Sequence, residues 1–278
     1  MRTALIQLTS SDDPVANLAV TRGLIAEAAD RGARLVLTPE VTNCVSGSRD
    51  RQIEVLQPED EDITLAGLRA QAAELGIWLV IGSLALRTDD PDGRFANRSF
   101  LIGPDGAIRA RYDKIHMFDV QVSPEETYRE SAGFRPGDRA VLADIGEFRL
   151  GLTICYDLRF PHLYQRLAQA GATVLSVPAA FSPVTGAAHW EPLLRARAIE
   201  TGCFVLAPAQ TGTHDTTQGR ARRTHGHSLA VSPWGEVLID AGTAPGVHIF
   251  DMDAKSVGEA RGKVPSLTHV RAFDGPDE

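Results

Sequence analysis

The sequence is short of cysteine and of lysine. Only three cysteines occur among its 278 residues, Cys44, Cys155 and Cys203, and they are odd in number and widely separated. Disulfide frameworks and CxxC metal sites need paired cysteines, so we predict reduced thiols and neither kind of site. The basic residues are almost all arginine, because lysine occurs only three times. In such a composition, the position of each lysine is slightly more informative than usual.

Long apolar runs and an excess of positive charge are also absent. No stretch approaches the roughly 20 apolar residues that a transmembrane helix needs, and the first residues turn polar too early for a secretory signal. The formal net charge is -8 at pH 7, whereas nucleic acids and anionic membranes attract basic surfaces. We therefore expect a cytoplasmic protein that binds no nucleic acid and no membrane. Its expected partners are small molecules or further copies of itself.

What is present is an alternation of strand and helix patterns. Residues 2–8 and 34–40 are typical of buried strands, and residues 14–33 between them have apolar side chains at helical spacing. The same alternation recurs in the second half of the chain and favours an α/β fold with helices on sheet faces. We predict a single domain over residues 1–278, with its core at about 2–265 and a short C-terminal tail.

Two turn motifs and three irregular stretches complete this outline. The motifs GPDG and SPWG each separate two strand patterns and predict hairpins, which gives the two halves of the chain a similar plan. In residues 43–62, 118–138 and 211–226, the apolar residues follow neither the spacing of a helix nor that of a strand. Loops of that length inside a compact domain are often functional, so we expect them near a site.

Glu40, Lys114 and Cys155 are candidates for chemistry, although each also has an ordinary interpretation. Glu40 ends a strand pattern after Pro39, and the carboxyl ends of strands are where α/β proteins form ligand crevices. Lys114 lies between a strand pattern and an irregular stretch, and Cys155 ends an apolar run that turns abruptly polar. Taken singly, each is more simply explained by its ordinary interpretation: a solvated loop acid or helix cap, an exposed lysine paired with a neighbouring acid, and a core cysteine.

Together, the three motifs resemble those of a known family. LTPE at Glu40, YDKIH at Lys114 and GLTICYDLRFP at Cys155 occur in the order of the nitrilase superfamily, the carbon-nitrogen hydrolases with a Glu-Lys-Cys triad. The resemblance extends over nearly the whole chain. It implies a four-layer α-β-β-α sandwich that pairs with a second copy through its helices, as a homodimer or higher homo-oligomer.

The resemblance narrows to one branch and assigns roles. The stretch from Thr185 to Gly202 is similar to the branch of omega-amidases and deaminated glutathione amidases. We expect Cys155 to attack an amide carbonyl, Glu40 to act as general base, and Lys114 with the Tyr156 backbone N–H to hold the oxyanion. A thioester acyl-enzyme would follow, and the scheme needs no metal and no organic cofactor.

Four further residues are candidates for support and binding. Glu130 in TYRES resembles a second glutamate of the family that positions the lysine and the substrate, although a surface acid is the alternative. Arg159 offers a planar fork to a substrate carboxylate or pairs with a neighbouring acid. Thr185 at a helix start could offer backbone donors to an acidic substrate or form a plain turn. The resemblance places His189 near the rim of the pocket.

Other features of the sequence count for less or depart from the family. The basic segment 219–227 lacks the spacing of a zinc site, and on an acidic chain it is weak evidence for nucleic-acid binding; attraction of an anionic substrate is its best functional use. His162 stands where the family often has glutamate. The tail at 269–278 differs from the Arg-rich endings of close relatives, which puts C-terminal dimer contacts in doubt.

The sequence therefore predicts an amidohydrolase that cleaves the amide of a small, carboxylate-bearing substrate, with release of ammonia and deaminated glutathione as the first candidate. Alternatives within the superfamily are an omega-amidase for α-ketoglutaramate-like acids and an N-carbamoyl amine hydrolase. Outside it, Cys155 could pair with His116 or His162 as in a cysteine peptidase, or the chain could be an inert binding scaffold.

Overall fold

Two six-stranded sheets form the centre of the structure, a computed structural model that describes residues 1–123 and 126–276. The first sheet contains β1 (Arg2–Gln7), β2 (Leu35–Leu37), β3 (Trp78–Leu86), β4 (Ala96–Ile102), β5 (Ile108–Asp113) and β16 (Gly246–Asp251). The second contains β8 (Val141–Ile145), β9 (Phe148–Leu152), β10 (Val174–Ser176), β11 (Phe204–Ala207), β14 (Leu229–Val231) and β15 (Val237–Asp240). Two further antiparallel pairs are β6 (Asp119–Ser123) with β7 (Glu126–Arg129), and β12 (Thr211–Thr213) with β13 (Arg223–His225).

The two sheets share one plan. The first has the order β16-β1-β2-β3-β4-β5, and its strands β1, β2 and β3 are parallel neighbours. The second, read as β8-β9-β10-β11-β14-β15, has three parallel neighbours in the same places, β9, β10 and β11. Each sheet adds one antiparallel strand on one side and a hairpin on the other. The similar plan that the two turn motifs predicted is therefore present in the topology.

Helices cover the outer faces of both sheets. The described helices are α1 (Pro14–Asp30), α2 (Arg49–Val55), α3 (Ile63–Leu75), α4 (Pro161–Gln169), α5 (Pro183–Thr201) and α6 (Lys255–Lys263), with 3₁₀ turns at Glu130–Ala132, Cys155–Arg159 and Ser266–Thr268. Helix α1 begins at a proline after Asp13, whose carboxylate accepts hydrogen bonds from two backbone N–H groups of the first turn. Helix α5 ends at Gly202, which takes the left-handed conformation that glycine adopts without strain.

The layer order follows from side chains that alternate along the strands of the first sheet. Successive residues of a strand point to opposite faces, so Ile6 of β1 packs in a cluster with Ile25 of α1 and Leu68 of α3. Leu5, between two such residues, belongs to a second cluster that includes Leu150 of β9 and Leu194 of α5. Helices, first sheet, second sheet and helices therefore follow one another, and the predicted α-β-β-α sandwich is confirmed.

The irregular stretches contain more regular structure than their sequences indicate. The first contains α2, the second contains the β6–β7 pair, and the third is closed at both ends by the β12–β13 pair. Residues 124 and 125 of the second stretch lie outside the described residues. Helix α5 begins at Pro183, where proline suits the first position because the N–H that it lacks would have no acceptor within the helix.

Within the part of the chain that the structure describes, none of the helices combines the length and the apolar character needed to cross a bilayer.

Candidate active site

One cavity of about 420 Å³ opens where strands from both sheets end. Glu40 lies three residues beyond β2, Lys114 directly follows β5, and Cys155 lies three residues beyond β9. All three side chains line this cavity, although they are far apart in the sequence. The sheets thus bring together the three residues that the motifs singled out.

The Glu40 carboxylate is buried and accepts hydrogen bonds at both oxygens. Oε1 accepts from Lys114 Nζ at 2.8 Å and from Asn97 Nδ2 at 2.9 Å, and Oε2 accepts from the backbone N–H of Ala180 at 2.9 Å. Burial acts to raise the pKa of this carboxyl, but the Lys114 ammonium and the hydrogen bonds outweigh burial, so the pKa lies below its ordinary value. Glu40 is therefore an anion near neutral pH.

Lys114 is a buried ammonium held between two carboxylates. Its Nζ lies 2.8 Å from Glu40 Oε1 and 2.9 Å from each oxygen of Glu130. Burial acts to lower its pKa, whereas the charges of Glu130 and Glu40 raise it, and the net shift is upward. Because an ammonium has three N–H donors, its three contacts with the two carboxylates occupy its hydrogen-bonding capacity.

Cys155 begins the 3₁₀ turn after β9 in an uncommon backbone conformation. Its φ is 49°, in the left-handed region that non-glycine residues rarely adopt, and its N–H donates to Pro178 O at 2.9 Å. The Glu40 side chain and the Ala180 N–H lie beside the thiol. Burial and the Glu40 charge raise its pKa well above the ordinary value, although Lys114 opposes them. At rest, Cys155 is therefore a neutral thiol beside a carboxylate.

Asn97 and Ala180 belong to this site, although they were not among the residues predicted from the sequence. Asn97 lies on β4, is buried, and donates to Glu40 Oε1 and, at 3.3 Å, to Glu130 Oε1. Its backbone oxygen accepts from Lys114 N, which continues the β4–β5 pairing by one position. The hairpin register could have identified Asn97 as the neighbour of Lys114. No sequence signal identifies Ala180, which contributes only its backbone.

Asp157 supports the turn that carries Cys155. This fully buried carboxylate accepts from the Tyr112 hydroxyl at 2.6 Å, from the Ile154 N–H at 2.9 Å and from His116, whose Nδ1 lies at 2.7 Å. Asp157 therefore ties the strand that precedes Lys114 to the turn. Neither His116 nor His162 lines the cavity, so the geometry does not favour the cysteine-histidine alternative.

The remaining predicted residues divide into two groups. Glu130, Tyr156 and Thr185 line the cavity, and Glu130 Oε2 also accepts from the Phe118 N–H at 2.7 Å. Arg159 and His189 are not among its lining residues; their side chains lie 3.3 Å from each other. The structure thus brings three of the five to the cavity, and the binding roles of Arg159 and His189 stay predictions.

Cationic side chains that the motifs did not single out also line the cavity. Arg49 donates to the backbone oxygens of Gly93 and Gly133 and lies over the Phe95 ring. Arg222, from the third irregular stretch, donates from Nη2 to Ala180 O at 2.6 Å. The cavity therefore has positive charge in addition to Lys114, which suits an anionic ligand.

Known proteins resemble this chain throughout. Residues 2–262 match the model of the carbon-nitrogen hydrolase family. The deaminated glutathione amidase of Yersinia enterocolitica is 40% identical over 272 residues, which are 96% of this chain and 92% of that protein.

Solved structures share the fold. The NitFhit protein of C. elegans matches with a TM-score of 0.88 and 34% identity over 97% of this chain; the match spans 65% of that longer chain, less than two thirds of it. A mutant amidase of Nesterenkonia sp. AN1, with acrylamide added at its active-site cysteine, matches with a TM-score of 0.76 and 28% identity over 95% of this chain and 98% of that one. The chain therefore belongs to the carbon-nitrogen hydrolase family, as its three motifs predicted, and it is a hydrolase of amides.

Proposed function

We propose that the chain hydrolyses the amide of a small acidic acyl compound, with Cys155 as nucleophile. The observation that carries the proposal is the position of the Glu40 carboxylate, which binds the Lys114 ammonium and lies beside the Cys155 thiol at the wall of one cavity. A neutral thiol is a weak nucleophile until a base removes its proton. Glu40 is an anion with a lowered pKa, and it already lies beside that thiol.

In the first half of the reaction, the Cys155 sulfur bonds to the amide carbonyl carbon as its proton passes to Glu40. The carbonyl oxygen becomes an oxyanion, and Lys114 with the Tyr156 N–H stabilises it. The carbon-nitrogen bond then breaks, Glu40 gives its proton to the departing nitrogen, and a thioester remains. General base catalysis of this kind contributes about 100- to 10,000-fold, and one oxyanion donor about 3 to 4 kcal/mol.

Lys114 has to change partners during this step. Its three N–H donors are directed at Glu40 and Glu130, so a bond to the oxyanion replaces one bond to a carboxylate. Glu130 can release one of its two contacts because its oxygens also accept from Phe118 and Asn97. Glu130 thus positions the lysine without holding it rigidly.

In the second half, water replaces the amine. Glu40 takes a proton from that water as the water oxygen attacks the thioester carbon. The carbon-sulfur bond then breaks, and Glu40 returns the proton to the sulfur, which gives the acid product and the free thiol. The acrylamide adduct on the active-site cysteine of the Nesterenkonia amidase supports a cysteine nucleophile in this fold.

Deaminated glutathione is the substrate that the relatives support. The proteins of Yersinia enterocolitica and Synechocystis that cover 96% of this chain are named deaminated glutathione amidases. The amide of that compound lies within a peptide, so its hydrolysis frees a primary amine and not the ammonia that the sequence led us to expect, whereas a primary amide such as α-ketoglutaramate frees ammonia. The product therefore identifies the leaving group.

A substrate panel tests the proposal. Deaminated glutathione, α-ketoglutaramate and N-carbamoyl amines are supplied to the wild type and to Cys155→Ala, and acid, amine, ammonia and carbon dioxide are measured. We expect the largest kcat/KM for deaminated glutathione and a loss of at least about 1,000-fold in Cys155→Ala. Turnover that persists in that variant contradicts the cysteine mechanism, and carbon dioxide as a main product contradicts the amide substrate.

We also propose that two copies pair through the outer face of α5. Ile199 on this helix is 56% exposed, and Trp234 and Val264 are 53% and 54% exposed. Gly235, next to Trp234, lies against Ile199, and Lys263, next to Val264, lies over the Trp234 ring, so these apolar residues share one surface region. Large exposed apolar side chains on a single surface are typical of protein interfaces. Light scattering measures the mass in solution, and a mass of one chain at micromolar concentration contradicts the pairing.

A further inference from the structure

We propose that Ser182, Thr185 and Arg222 form a carboxylate-binding subsite in the cavity and select acyl groups that carry a terminal acid. The inference rests on the proposed amidase function and adds to it the residues that recognise the acid. All three line the same cavity as Cys155. None of them belongs to the motifs around Glu40, Lys114 or Cys155.

Two unpaired hydroxyl groups are the first observation. Ser182 is 2% exposed, and neither its Oγ nor Thr185 Oγ1 has a hydrogen-bond partner among the residues that the structure describes. A buried hydroxyl without a partner is unfavourable compared with one that is hydrogen-bonded, so most buried polar groups have partners. A ligand oxygen in the cavity would supply the missing partner for both.

The helix start beside these hydroxyls is the second observation. Helix α5 has 19 residues, and Ser182 is its N-cap, yet the side chain makes no capping hydrogen bond. The first N–H groups of a helix lack intrahelical acceptors, and the aligned peptide dipoles favour negative charge there. An anion at this end would accept from the hydroxyls and from backbone N–H groups of the first turn.

The Arg222 guanidinium is the third observation. Nη2 donates to Ala180 O, whereas the buried Nε has no hydrogen-bond partner within the described residues. The guanidinium carbon lies 5.8 Å from the centre of the Tyr128 ring, which flanks it. Planar guanidinium forks suit carboxylates because two N–H groups can donate in parallel.

Ala180 connects this subsite to the reacting groups. Its N–H donates to Glu40 Oε2, and its carbonyl oxygen accepts from Arg222, so a single residue links the base to the arginine. A carboxylate bound at Arg222 is therefore close to the carbonyl that Cys155 attacks. That separation fits the short acyl chain of a dicarboxylic acid monoamide, and the acid recognised belongs to the acyl part rather than to the leaving amine.

The other charged groups around the cavity are less suited to this role. Arg49 donates to two backbone oxygens through both terminal nitrogens. Arg129 is exposed and donates to Tyr128 O. The acids, Glu40 and Glu130, are both bound to Lys114. Arg222 is thus the lining arginine with a buried, unpaired N–H among the described residues.

Two matched primary amides test the subsite. Glutaramate and pentanamide have acyl chains of equal length, and only glutaramate ends in a carboxylate. For Arg222→Met, we expect kcat/KM for glutaramate to fall about 10- to 100-fold, mainly through KM, because hydrogen bonds to charged groups contribute about 1.5 to 3 kcal/mol. For pentanamide, we expect a change of less than about three-fold. Arg223→Met makes the same substitution at the adjacent exposed residue and should leave both substrates unchanged.

Substitutions of Ser182 and Thr185 should have smaller effects, which again lower kcat/KM for glutaramate more than for pentanamide. Ser182→Ala and Thr185→Val are each expected to lower kcat/KM for glutaramate about 3- to 10-fold, as for the loss of one hydrogen bond, with little change for pentanamide. Thr185→Ser retains the hydroxyl and should restore most of the activity. Arg222→Lys keeps the positive charge but lacks the planar guanidinium, so its kcat/KM for glutaramate should lie between those of the wild type and Arg222→Met. An intermediate value also shows that the loss in Arg222→Met is not caused by a folding defect of that variant alone.

Several outcomes overturn the subsite. If the two amides lose activity equally in Arg222→Met, the arginine acts through Ala180 and Glu40 instead of binding the acid. A selective loss in Arg159→Met, with none in Arg222→Met, places the carboxylate at Arg159. If the wild type hydrolyses pentanamide as well as glutaramate, the subsite fails but the amidase stands. If Cys155→Ala retains hydrolysis, the proposed function itself fails.

Discussion

Cys155 and Cys203 lie in the same half of the chain and in the same hydrophobic cluster, yet their surroundings differ. Cys203 is fully buried, its thiol donates to Ala172 O at 3.2 Å, and the Arg261 guanidinium donates to its sulfur at 3.2 Å. Burial raises the pKa of both thiols even though a cation stands beside each. Cys155 differs in having a carboxylate partner and a cavity.

A neighbouring cation therefore does not by itself make a cysteine of this protein nucleophilic. Cys44 shows the complementary case: it lines the cavity, but none of the described carboxylates stands beside it as Glu40 stands beside Cys155. Burial raises its pKa to about 12. The activated thiol is the one that combines access for the substrate with a base that takes the proton during attack. Because the base takes the proton during attack, this mechanism does not require Cys155 to be a thiolate beforehand.

Glu40→Gln removes the carboxylate that distinguishes the surroundings of Cys155 from those of Cys203. Loss of the base is expected to lower kcat about 100- to 10,000-fold. The Glu40 charge raises the pKa of Cys155 and Lys114 lowers it, so removing that negative charge shifts the alkylation of Cys155 by iodoacetamide to lower pH. Turnover and the pH dependence of alkylation are measured together, with the exposed Glu147→Gln as control. A kcat within about ten-fold of the wild type contradicts the role of Glu40 as base.

Asp157→Asn weakens the support of the Cys155 turn. The amide would direct N–H groups at a site that receives donors from Tyr112 and Ile154, so hydrogen bonds are lost without replacement. We expect stability to fall by about 1 to 3 kcal/mol and kcat to fall about ten-fold, with KM nearly unchanged. Chemical denaturation and steady-state kinetics measure both. Asp144→Asn, at an exposed position, is the matched control. Unchanged stability and kcat in Asp157→Asn would contradict the role of Asp157 in supporting the turn.

Cys203→Ala should have the smallest effect. It removes a buried sulfur far from any base, so we expect kcat within about two-fold of the wild type and a stability loss of about 1 kcal/mol. Iodoacetamide labelling of the native wild type, read by mass spectrometry, should modify Cys155 much faster than Cys203 or Cys44. Equal labelling of the three thiols, or loss of turnover in Cys203→Ala, contradicts the comparison.

The spacing of apolar residues along the sequence predicted the outline of the fold, and the three motifs predicted the main residues of the site. The alternation of strand and helix patterns predicted α/β structure because the two elements place apolar residues at different spacings. Periodicity failed for α2 and for the two small strand pairs, which are short and lie in polar segments. Short elements of this kind are stabilised by tertiary contacts, and local sequence carries little information about them.

The sequence by itself determined the chemistry that is available, because Glu40, Lys114 and Cys155 stand in motifs that one family shares. The tertiary structure decided which other groups join them. Asn97 is 57 positions from Glu40 in the sequence, and Ala180 is 140 positions from it. Local sequence patterns do not predict contacts between residues so far apart. It also placed Arg222, and not Arg159, at the cavity. Strand register and loop closure fix these positions, since they depend on how the two sheets pack.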